Sequence, residues 1–110
     1  GKLMPRQTRH YLDGHCYHLT HRCHDRTFLL KFKKDRRLYL EYLLEMKHRF
    51  KIDVLNYIVT SNHMHLLVWA KEGQEISRAL QFSQGEMGQH YNLKHKRSGS
   101  FWGDRYALRV

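Results

Sequence analysis

Apolar and polar positions alternate most regularly between Asn62 and Ala70, which predicts a β-strand. Successive side chains of a strand point to opposite faces of its sheet. One face of this strand would be largely apolar and carry Asn62, Met64, Leu66, Val68 and Ala70. The other face would carry His63, His65, Leu67 and Trp69. The two histidines would then lie about 7 Å apart along one face, close enough to bind a single cation together.

Two more strands are predicted before this histidine strand. Residues 53–60 are rich in β-branched and aromatic residues, and the short link Ser61–Asn62 would join them to the histidine strand as a hairpin. An earlier strand is predicted within residues 11–23. It would direct Tyr17 and Leu19 toward a core, and His18, Thr20 and Arg22 away from it.

Helical periodicity predicts helices over residues 35–50 and 75–96. Asp35 is predicted to be the N-cap of the first helix, because a carboxylate can accept hydrogen bonds from free backbone amides. An apolar stripe of that helix would face the core, with Tyr39, Leu43, Met46 and Phe50. A last strand is predicted within residues 106–110.

The element order β-α-β-β-α-β predicts an α+β fold of the ferredoxin-like, split βαβ type, an antiparallel sheet with both helices on one face. If the apolar face of the histidine strand packs beneath the helices, His63 and His65 lie on the open face. His18, Thr20 and Arg22 would share that face from the neighbouring strand. Leu67 and Trp69 also lie there, so we expect a partner subunit, DNA or additional chain to cover part of it.

The composition adds a strong positive charge to this picture. Twenty Lys and Arg against ten Asp and Glu give a formal net charge of +10, which favours a polyanionic partner such as nucleic acid. A chain of 110 residues corresponds to one domain, preceded by a flexible basic arm over residues 1–10. Cys16 and Cys23 are expected to be free, partly buried thiols. Without a membrane-length apolar run or a signal-peptide pattern, we expect a cytoplasmic protein with no membrane partner.

The segment Thr60-Ser61-Asn62-His63-Met64-His65-Leu66-Leu67 resembles the HUH motif (histidine, apolar residue, histidine) of single-tyrosine transposases, especially REP-associated tyrosine transposases. Further segments resemble that family in the same order, namely Met4–Arg6, Tyr17–Arg22, Ile76–Gln81, His90–Asn92 and Gly99–Tyr106. The resemblance therefore covers nearly the whole chain.

This resemblance implies a DNA transposase, an endonuclease and strand transferase that acts on single-stranded, hairpin-flanked DNA, often as a homodimer. His63 and His65 would bind a divalent ion, Mg²⁺ or Mn²⁺, and imidazole ligands favour manganese. A tyrosine hydroxyl would attack the scissile phosphorus, giving a 5′-phosphotyrosine link and a free 3′-hydroxyl.

The family's nucleophilic tyrosine and third metal ligand lie on a helix after the last strand, and no tyrosine here matches that position. Tyr91 matches a helix-packing tyrosine, and Tyr106 matches one in the last strand. We therefore expect the nucleophilic tyrosine to lie beyond Val110. Residues 11–110 are expected to form the catalytic domain without that helix, able to bind DNA but not to cleave it by the family's route.

Several basic side chains are candidates for contacts with DNA phosphates, although each could also be an ordinary surface charge. They are Arg6 in the arm, Arg22, Arg26, the cluster Lys94, Lys96 and Arg97, and Arg105. Trp102 could stack on a base or hold a turn. The alternative function is a noncatalytic nucleic-acid-binding module that resembles an RRM-type RNA binder in plan. It predicts stacking aromatic residues on the central strands and no metal dependence.

Overall fold

The computed structural model describes residues 10–110, so nearly all of the predicted arm, including Arg6, lies outside the described residues. The elements are β1 (His15–Arg22), α1 (Lys33–Arg49), β2 (Asp53–Val59), β3 (His63–Ala70), α2 (Gln74–Lys94) and β4 (Ala107–Arg109). A single 3₁₀ turn, His24–Arg26, follows β1. The sheet order is β2-β3-β1-β4, and every neighbouring pair is antiparallel. The predicted ferredoxin-like α+β fold is confirmed.

The two central strands, β1 and β3, pair along their whole length, from His15 opposite Ala70 to Arg22 opposite His63. Strand β2 pairs with β3 as the predicted hairpin, with a register shift between Val54 and Asn56. The short β4 pairs with β1 at the other side. Strand β2 is therefore one edge of the sheet.

Burial alternates along β3 as the sequence predicted. Met64, Leu66, Val68 and Ala70 are fully buried, whereas the intervening residues are half-buried. Strand β1 likewise buries Tyr17 and Leu19. Both helices cover this side of the sheet and contribute the core side chains Tyr39, Leu43, Met46, Ile76, Leu80 and Met87. The histidine pair is thus left on the opposite face of the sheet.

The predicted capping role of Asp35 is wrong. Helix α1 begins at Lys33, and Phe32 occupies the N-cap position without a side-chain cap. Asp35 is fully buried in the first turn, where its Oδ1 accepts a hydrogen bond from Lys94 Nζ at 3.1 Å and lies 3.3 Å from His95 Nε2. This carboxylate joins the start of α1 to the end of α2 instead of capping its own helix.

The segment after α2 folds back against the end of β1. The backbone amide of His24 donates to the carbonyl of Phe101 at 2.9 Å, and that of Gly103 donates to the carbonyl of Arg22 at 2.8 Å. Trp102 is buried, and its indole N–H donates to the carbonyl of Gln84 in α2 at 2.9 Å. Trp102 therefore holds this turn in place, the second of its two predicted roles.

The last predicted strand is shorter than the sequence suggested. It was expected within residues 106–110, but β4 covers only Ala107–Arg109. Val110 lies outside the strand, with 78% of its surface exposed. Strand β4 therefore contributes three paired residues to the sheet, opposite His18, Leu19 and Thr20 of β1.

Two smaller expectations concern the cysteines and membranes. Both cysteines are free thiols, as predicted, but Cys16 is exposed instead of partly buried, and Cys23 is buried. Burial raises the pKa of the Cys23 thiol to about 11, so that group stays protonated at neutral pH. Within residues 10–110, no helix has both the length and the apolar character needed to span a membrane.

Candidate metal and nucleic-acid site

The pairing of β1 with β3 brings the predicted open-face residues together. Thr20 lies opposite His65, and Arg22 lies opposite His63. On the other side of β3, Ile58 of β2 lies opposite His65. The histidine pair is thus flanked by a hydroxyl and a guanidinium on one side and by an aliphatic side chain on the other.

Polar neighbours determine which nitrogen of His63 carries the proton. Its Nδ1 lies 3.0 Å from Asn62 Oδ1 and 2.9 Å from Thr60 Oγ1. The amide nitrogen of Asn62 donates to the carbonyl of Arg26 at 3.2 Å, which turns Oδ1 toward the ring. Because that oxygen can only accept, Nδ1 of His63 is the donor. The lone pair is then on Nε2, as a metal ligand requires.

His65 contacts two groups of β1 through its Nδ1. Thr20 Oγ1 lies 3.1 Å away and His18 Nε2 lies 3.2 Å away. The rings of His18 and His65 are stacked, with centroids 5.2 Å apart and planes within 7°. Burial, and then the neighbouring His63, His18 and Arg22, lower the pKa of His65 below its ordinary value of 6.5. His65 is therefore neutral at neutral pH, the form that binds metal ions.

These two imidazoles suit part of a metal's coordination shell. Their ring centroids are 4.9 Å apart, and the planes are inclined by 80°. Among residues 10–110, neither Nε2 atom has a hydrogen-bond partner. In the same part of the chain, no group of three or more His, Cys, Asp or Glu side chains could hold a metal ion. The donor set fits a divalent ion that takes its remaining ligands from elsewhere.

The tyrosines do not supply a hydroxyl beside this pair. Tyr39 donates to Gln84, Tyr42 is bonded to His90, and Tyr17 accepts from the amide of Leu12. The hydroxyls of Tyr11 and Tyr106 are bonded to each other, and the ring of Tyr91 packs on His95 and Phe101. Tyr57 lies opposite Leu66, which faces the helices. Hence none of the seven tyrosines, all within residues 10–110, projects from the open face. That the nucleophile lies beyond Val110 stays a prediction.

Residues 11–109 match the family described as "Transposase IS200 like". The chain belongs to this family. No curated protein matches it. The predicted kinship with the single-tyrosine transposases is therefore confirmed.

Two solved structures resemble this IS200-like chain. One is described as a REP-associated tyrosine transposase bound to a REP hairpin, with a TM-score of 0.69 and 18% identity, covering 96% of this chain and 61% of that one. The other is a candidate transposase from Deinococcus radiodurans R1, with a TM-score of 0.73 and 16% identity, covering 96% of this chain and 85% of that one. At these identities the likeness establishes the fold. The chain spans about three-fifths of the length of the first structure.

The basic residues predicted to contact DNA form two groups in this IS200-like fold. Arg22, Arg26 and Arg105 line one groove of about 610 Å³ that also includes Thr20. Lys94, Lys96 and Arg97 lie at the end of α2. Lys94 is paired with Asp35, and the Arg97 guanidinium donates to Asn92 Oδ1 and to the carbonyl of Ser100, both at 2.9 Å. The first group is the one adjacent to the histidine pair.

Sequence reasoning missed the partners that orient the histidines. Thr60 was assigned to the end of a strand, and Asn62 to the hairpin link and to the apolar face of the histidine strand, although their closeness in sequence to His63 was a usable signal. In the structure Asn62 precedes β3, and its Oδ1 contacts the His63 ring. It also missed His21, which is buried on the helix side and bonded to Gln84. A larger cleft of about 820 Å³ lies there, between α2 and residues 99–106. It lacks a pair of imidazoles, so the candidate metal site remains on the open face.

Proposed function

We propose that residues 11–110 form the catalytic domain of a transposase that cuts and rejoins single-stranded, hairpin-flanked DNA. The observation that carries this proposal is the pair of imidazoles on the open face of an IS200-like chain. His63 is held with its proton on Nδ1, His65 is neutral, and both Nε2 atoms point away from the hydrogen bonds that orient the rings.

His63 and His65 would hold a divalent ion, Mg²⁺ or Mn²⁺, through these Nε2 atoms. Such an ion supplies Lewis-acid polarisation of the scissile phosphate when it is bound. Neighbouring side chains of the same chain position the two histidine rings. Asn62 and Thr60 hold the His63 ring, and Thr20 holds the His65 ring, so both ligands are oriented before the ion arrives. Arg22, opposite His63, can donate two parallel hydrogen bonds to a phosphate.

Three observations support DNA as the substrate. The chain carries a formal charge of +10. Arg22, Arg26 and Arg105 converge on one groove beside the histidines. A solved structure of the same fold is described as bound to a REP hairpin. Contacts between arginines and phosphates are independent of sequence and weaken with salt. Selection of the hairpin would need additional contacts to bases or to DNA shape.

The nucleophile of the proposed reaction is a tyrosine outside the open face described above. Its hydroxyl loses a proton and its oxygen forms a bond to phosphorus, while the bond from phosphorus to the 3′-oxygen breaks and that oxygen takes up a proton to give the free 3′-hydroxyl. The energy of the phosphodiester is kept in the 5′-phosphotyrosine for rejoining. A further segment, belonging to this chain or to a second copy, would supply this tyrosine and the third ligand, so we include a homodimer in the proposal.

A noncatalytic nucleic-acid-binding module is the second candidate function. The position of the seven tyrosines favours it, since none projects beside the histidine pair. This alternative predicts DNA binding that is indifferent to metal ions and to the two histidines.

Binding and cleavage of a labelled hairpin oligonucleotide with Mn²⁺ separate these candidates. The unmodified chain is compared with a His63→Ala, His65→Ala double variant and with a His15→Ala, His48→Ala control, which removes two exposed histidines. We expect Mn²⁺ to strengthen DNA binding by the unmodified chain and the control but not by the site variant. Equal binding by all three proteins, with or without Mn²⁺, would favour the noncatalytic module. A denaturing gel should show no covalent adduct, and an adduct formed only with the histidines intact would place the nucleophile within this chain.

A further inference from the structure

The first turn of α1 carries a dense positive charge. Residues 31–37 include the basic side chains Lys31, Lys33, Lys34, Arg36 and Arg37. Cations at a helix N-terminus are repelled by the helix dipole, so this placement opposes helix stability. Asp35, the one acid in this stretch, is buried and paired with Lys94 and His95. Across residues 10–110, none of these five cations forms a salt bridge. The cluster has no internal counter-charge.

Three of these cations line a groove against the sheet edge. A groove of about 370 Å³ separates the start of α1 from strand β2, and Lys33, Arg36, Arg37, Tyr57 and Ile58 contribute to its walls. The Arg36 guanidinium donates to the carbonyls of Leu30 at 2.8 Å and Lys31 at 2.7 Å. Arg36 is therefore already positioned, which lowers the entropy cost of binding an anion. We call these five wall residues the β2-edge groove.

The β2-edge groove continues onto the open face. Ile58, which lies opposite His65, also lines a small hollow of about 80 Å³ together with His18 and His65. Tyr57 and Ile58 are 52% and 56% exposed, unusually high for apolar strand residues. A molecule lying along this surface would pass from the cations of α1, across the edge strand, to the histidine pair.

We propose that the β2-edge groove binds the single-stranded DNA segment that leads to the histidine pair. This inference rests on the proposed function and names the path of its substrate. Lys33, Arg36 and Arg37 would contact phosphates, and the exposed Tyr57 ring would stack on an unpaired base. Cations beside an exposed ring suit a single strand, because its bases offer free faces that a duplex hides.

Charge argues against a second copy of the chain as the occupant of this surface. An exposed edge strand with apolar side chains can pair with another edge strand. Two chains paired through β2 about a two-fold axis would bring both clusters of cations toward the same interface. Mutual repulsion of these uncompensated charges would oppose that dimer, whereas a polyanion neutralises them.

Fluorescence anisotropy with three DNA probes tests the inference. The probes are a blunt hairpin, the same hairpin with a single-stranded flank of about ten nucleotides, and a plain single strand of that length, within the usual range of single-strand binding sites. The proteins are the unmodified chain, Lys33→Ala with Arg37→Ala, Tyr57→Ala, Tyr57→Phe, and Lys47→Ala with Lys51→Ala. The last variant is a matched control, since it removes two exposed lysines without a salt bridge from the opposite end of α1.

We expect Lys33→Ala with Arg37→Ala to weaken binding of the flanked hairpin and the single strand about tenfold. The slope of log K against log salt should fall by about 1.4, because each phosphate neutralised on a single strand contributes about 0.7. Tyr57→Ala should also weaken both probes about tenfold, and Tyr57→Phe should bind normally because it keeps the stacking ring. Blunt-hairpin binding should stay within about twofold for every variant, as should all binding by the control.

Failure of this inference can be told apart from failure of the proposed function. Equal weakening of blunt-hairpin binding, or equal weakening in the control variant, would overturn the inference, since charge alone would then explain binding. Unchanged binding of the flanked probe would overturn it too. If the blunt hairpin does not bind at all while single-strand binding depends on Lys33, Arg37 and Tyr57, the inference stands and hairpin recognition fails. Light scattering measures the oligomeric state of the same proteins. If the unmodified chain is a dimer that Tyr57→Ala dissociates, and DNA binding is unchanged, the groove binds a second copy of the chain instead.

Discussion

The Nδ1 atom of His65 in β3 lies 3.1 Å from the hydroxyl oxygen of Thr20 in β1, across 45 residues of sequence. The pairing of the two strands places these residues directly opposite each other. The hydroxyl oxygen in this position can accept a hydrogen bond from Nδ1–H of His65 and leave Nε2 free for a metal ion. Thr20 is therefore a positioning residue for the proposed ligand.

Replacing this threonine tests that role. We expect Thr20→Val to lower the affinity for Mn²⁺ about tenfold or more, the usual effect of removing a group that orients a metal ligand. Thr27→Val is the matched control, because Thr27 is exposed and lies in the turn after β1. Calorimetric titration of each protein with Mn²⁺ provides the measurement. Equal affinities for the two variants would mean that the ring is oriented without the Thr20 hydroxyl.

The lowered pKa of His65 gives metal binding a defined pH dependence. Burial is the largest cause, and the neighbouring His63, His18 and Arg22 add to it. The neutral ring therefore persists below pH 6.5, and Mn²⁺ affinity should fall only at more acidic pH. In His63→Ala we expect the pKa of His65 to rise toward 6.5, since one repelling neighbour is removed. NMR titration of the His65 ring protons in both proteins measures this shift.

The lowered pKa of His65 also predicts how the stability of the folded protein changes with pH. The folded protein binds the His65 proton less tightly than the unfolded chain does, so stability from this group is fully present above pH 6.5. It is lost as pH falls through the folded pKa. Urea unfolding at about pH 7.5 and below about pH 6 should show a smaller acid-induced loss in His65→Ala than in the unmodified chain. An equal loss in both proteins would attribute the acid sensitivity to other groups.

A buried polar network on the opposite face supports the turn after α2. Gln84 Nε2 donates to His21 Nδ1 at 2.8 Å, and Gln84 Oε1 accepts from the Tyr39 hydroxyl at 2.6 Å. Burial raises the pKa of Tyr39, so that hydroxyl stays protonated and donates. His21 Nε2 in turn donates to the carbonyl of Asp104 at 2.7 Å. One amide thus connects α1, α2, β1 and the turn that follows α2.

Removing this amide should be costly. Gln84→Ala removes this partner from buried groups of His21 and Tyr39, at about 1–3 kcal/mol each, so we expect a loss of about 2–6 kcal/mol. Gln81→Ala is the control, since Gln81 is exposed on the same helix, and it should change stability by less than about 0.5 kcal/mol. Urea denaturation measures both values. A loss below about 1 kcal/mol in Gln84→Ala would mean that water replaces the missing amide.

The contact between Lys94 and the buried Asp35 predicts that Lys94 stabilises the folded protein. Lys94→Ala should destabilise the protein by about 2 kcal/mol, because it removes the cation that hydrogen-bonds a fully buried carboxylate. His95 remains near the same oxygen, which keeps the loss below that of a completely unpaired charge. Lys47→Ala, an exposed lysine on α1, should change stability by less than about 0.5 kcal/mol. Thermal unfolding of both variants tests the difference, and similar midpoints would contradict it.

The fold could be predicted from the sequence because the patterns that indicate its strands and helices are local. Alternation from His63 to Ala70 reports burial on one face directly, and the periodicity of the helices does the same. The capping role of Asp35 was wrong for a corresponding reason. Its position before an apolar stripe satisfies the local capping pattern, but its partners Lys94 and His95 are about 60 residues away in sequence. Local pattern cannot show which element a carboxylate faces.

The candidate site was predictable only in part. The spacing of His63 and His65 identifies a shared face, but the hydroxyl of Thr20 reaches His65 only through the pairing of β1 with β3. The β2-edge groove depends on how α1 packs against an edge strand, which no local pattern contains. By sequence, Lys94 belonged to a candidate cluster for DNA contacts, whereas its contact with the buried Asp35 is tertiary.

Residues of the candidate site and residues of the core alternate along strand β1. His18, Thr20 and Arg22 face the histidine pair, whereas Tyr17, Leu19 and His21 are buried beneath the helices. Substitutions at successive positions of this strand should therefore alternate in effect, lowering activity at the open-face positions and stability at the buried ones. Natural variation could retune the DNA or metal preference at one set of positions without lowering the abundance of the protein. Within a single strand, adaptation of the activity is in this way separated from maintenance of the fold.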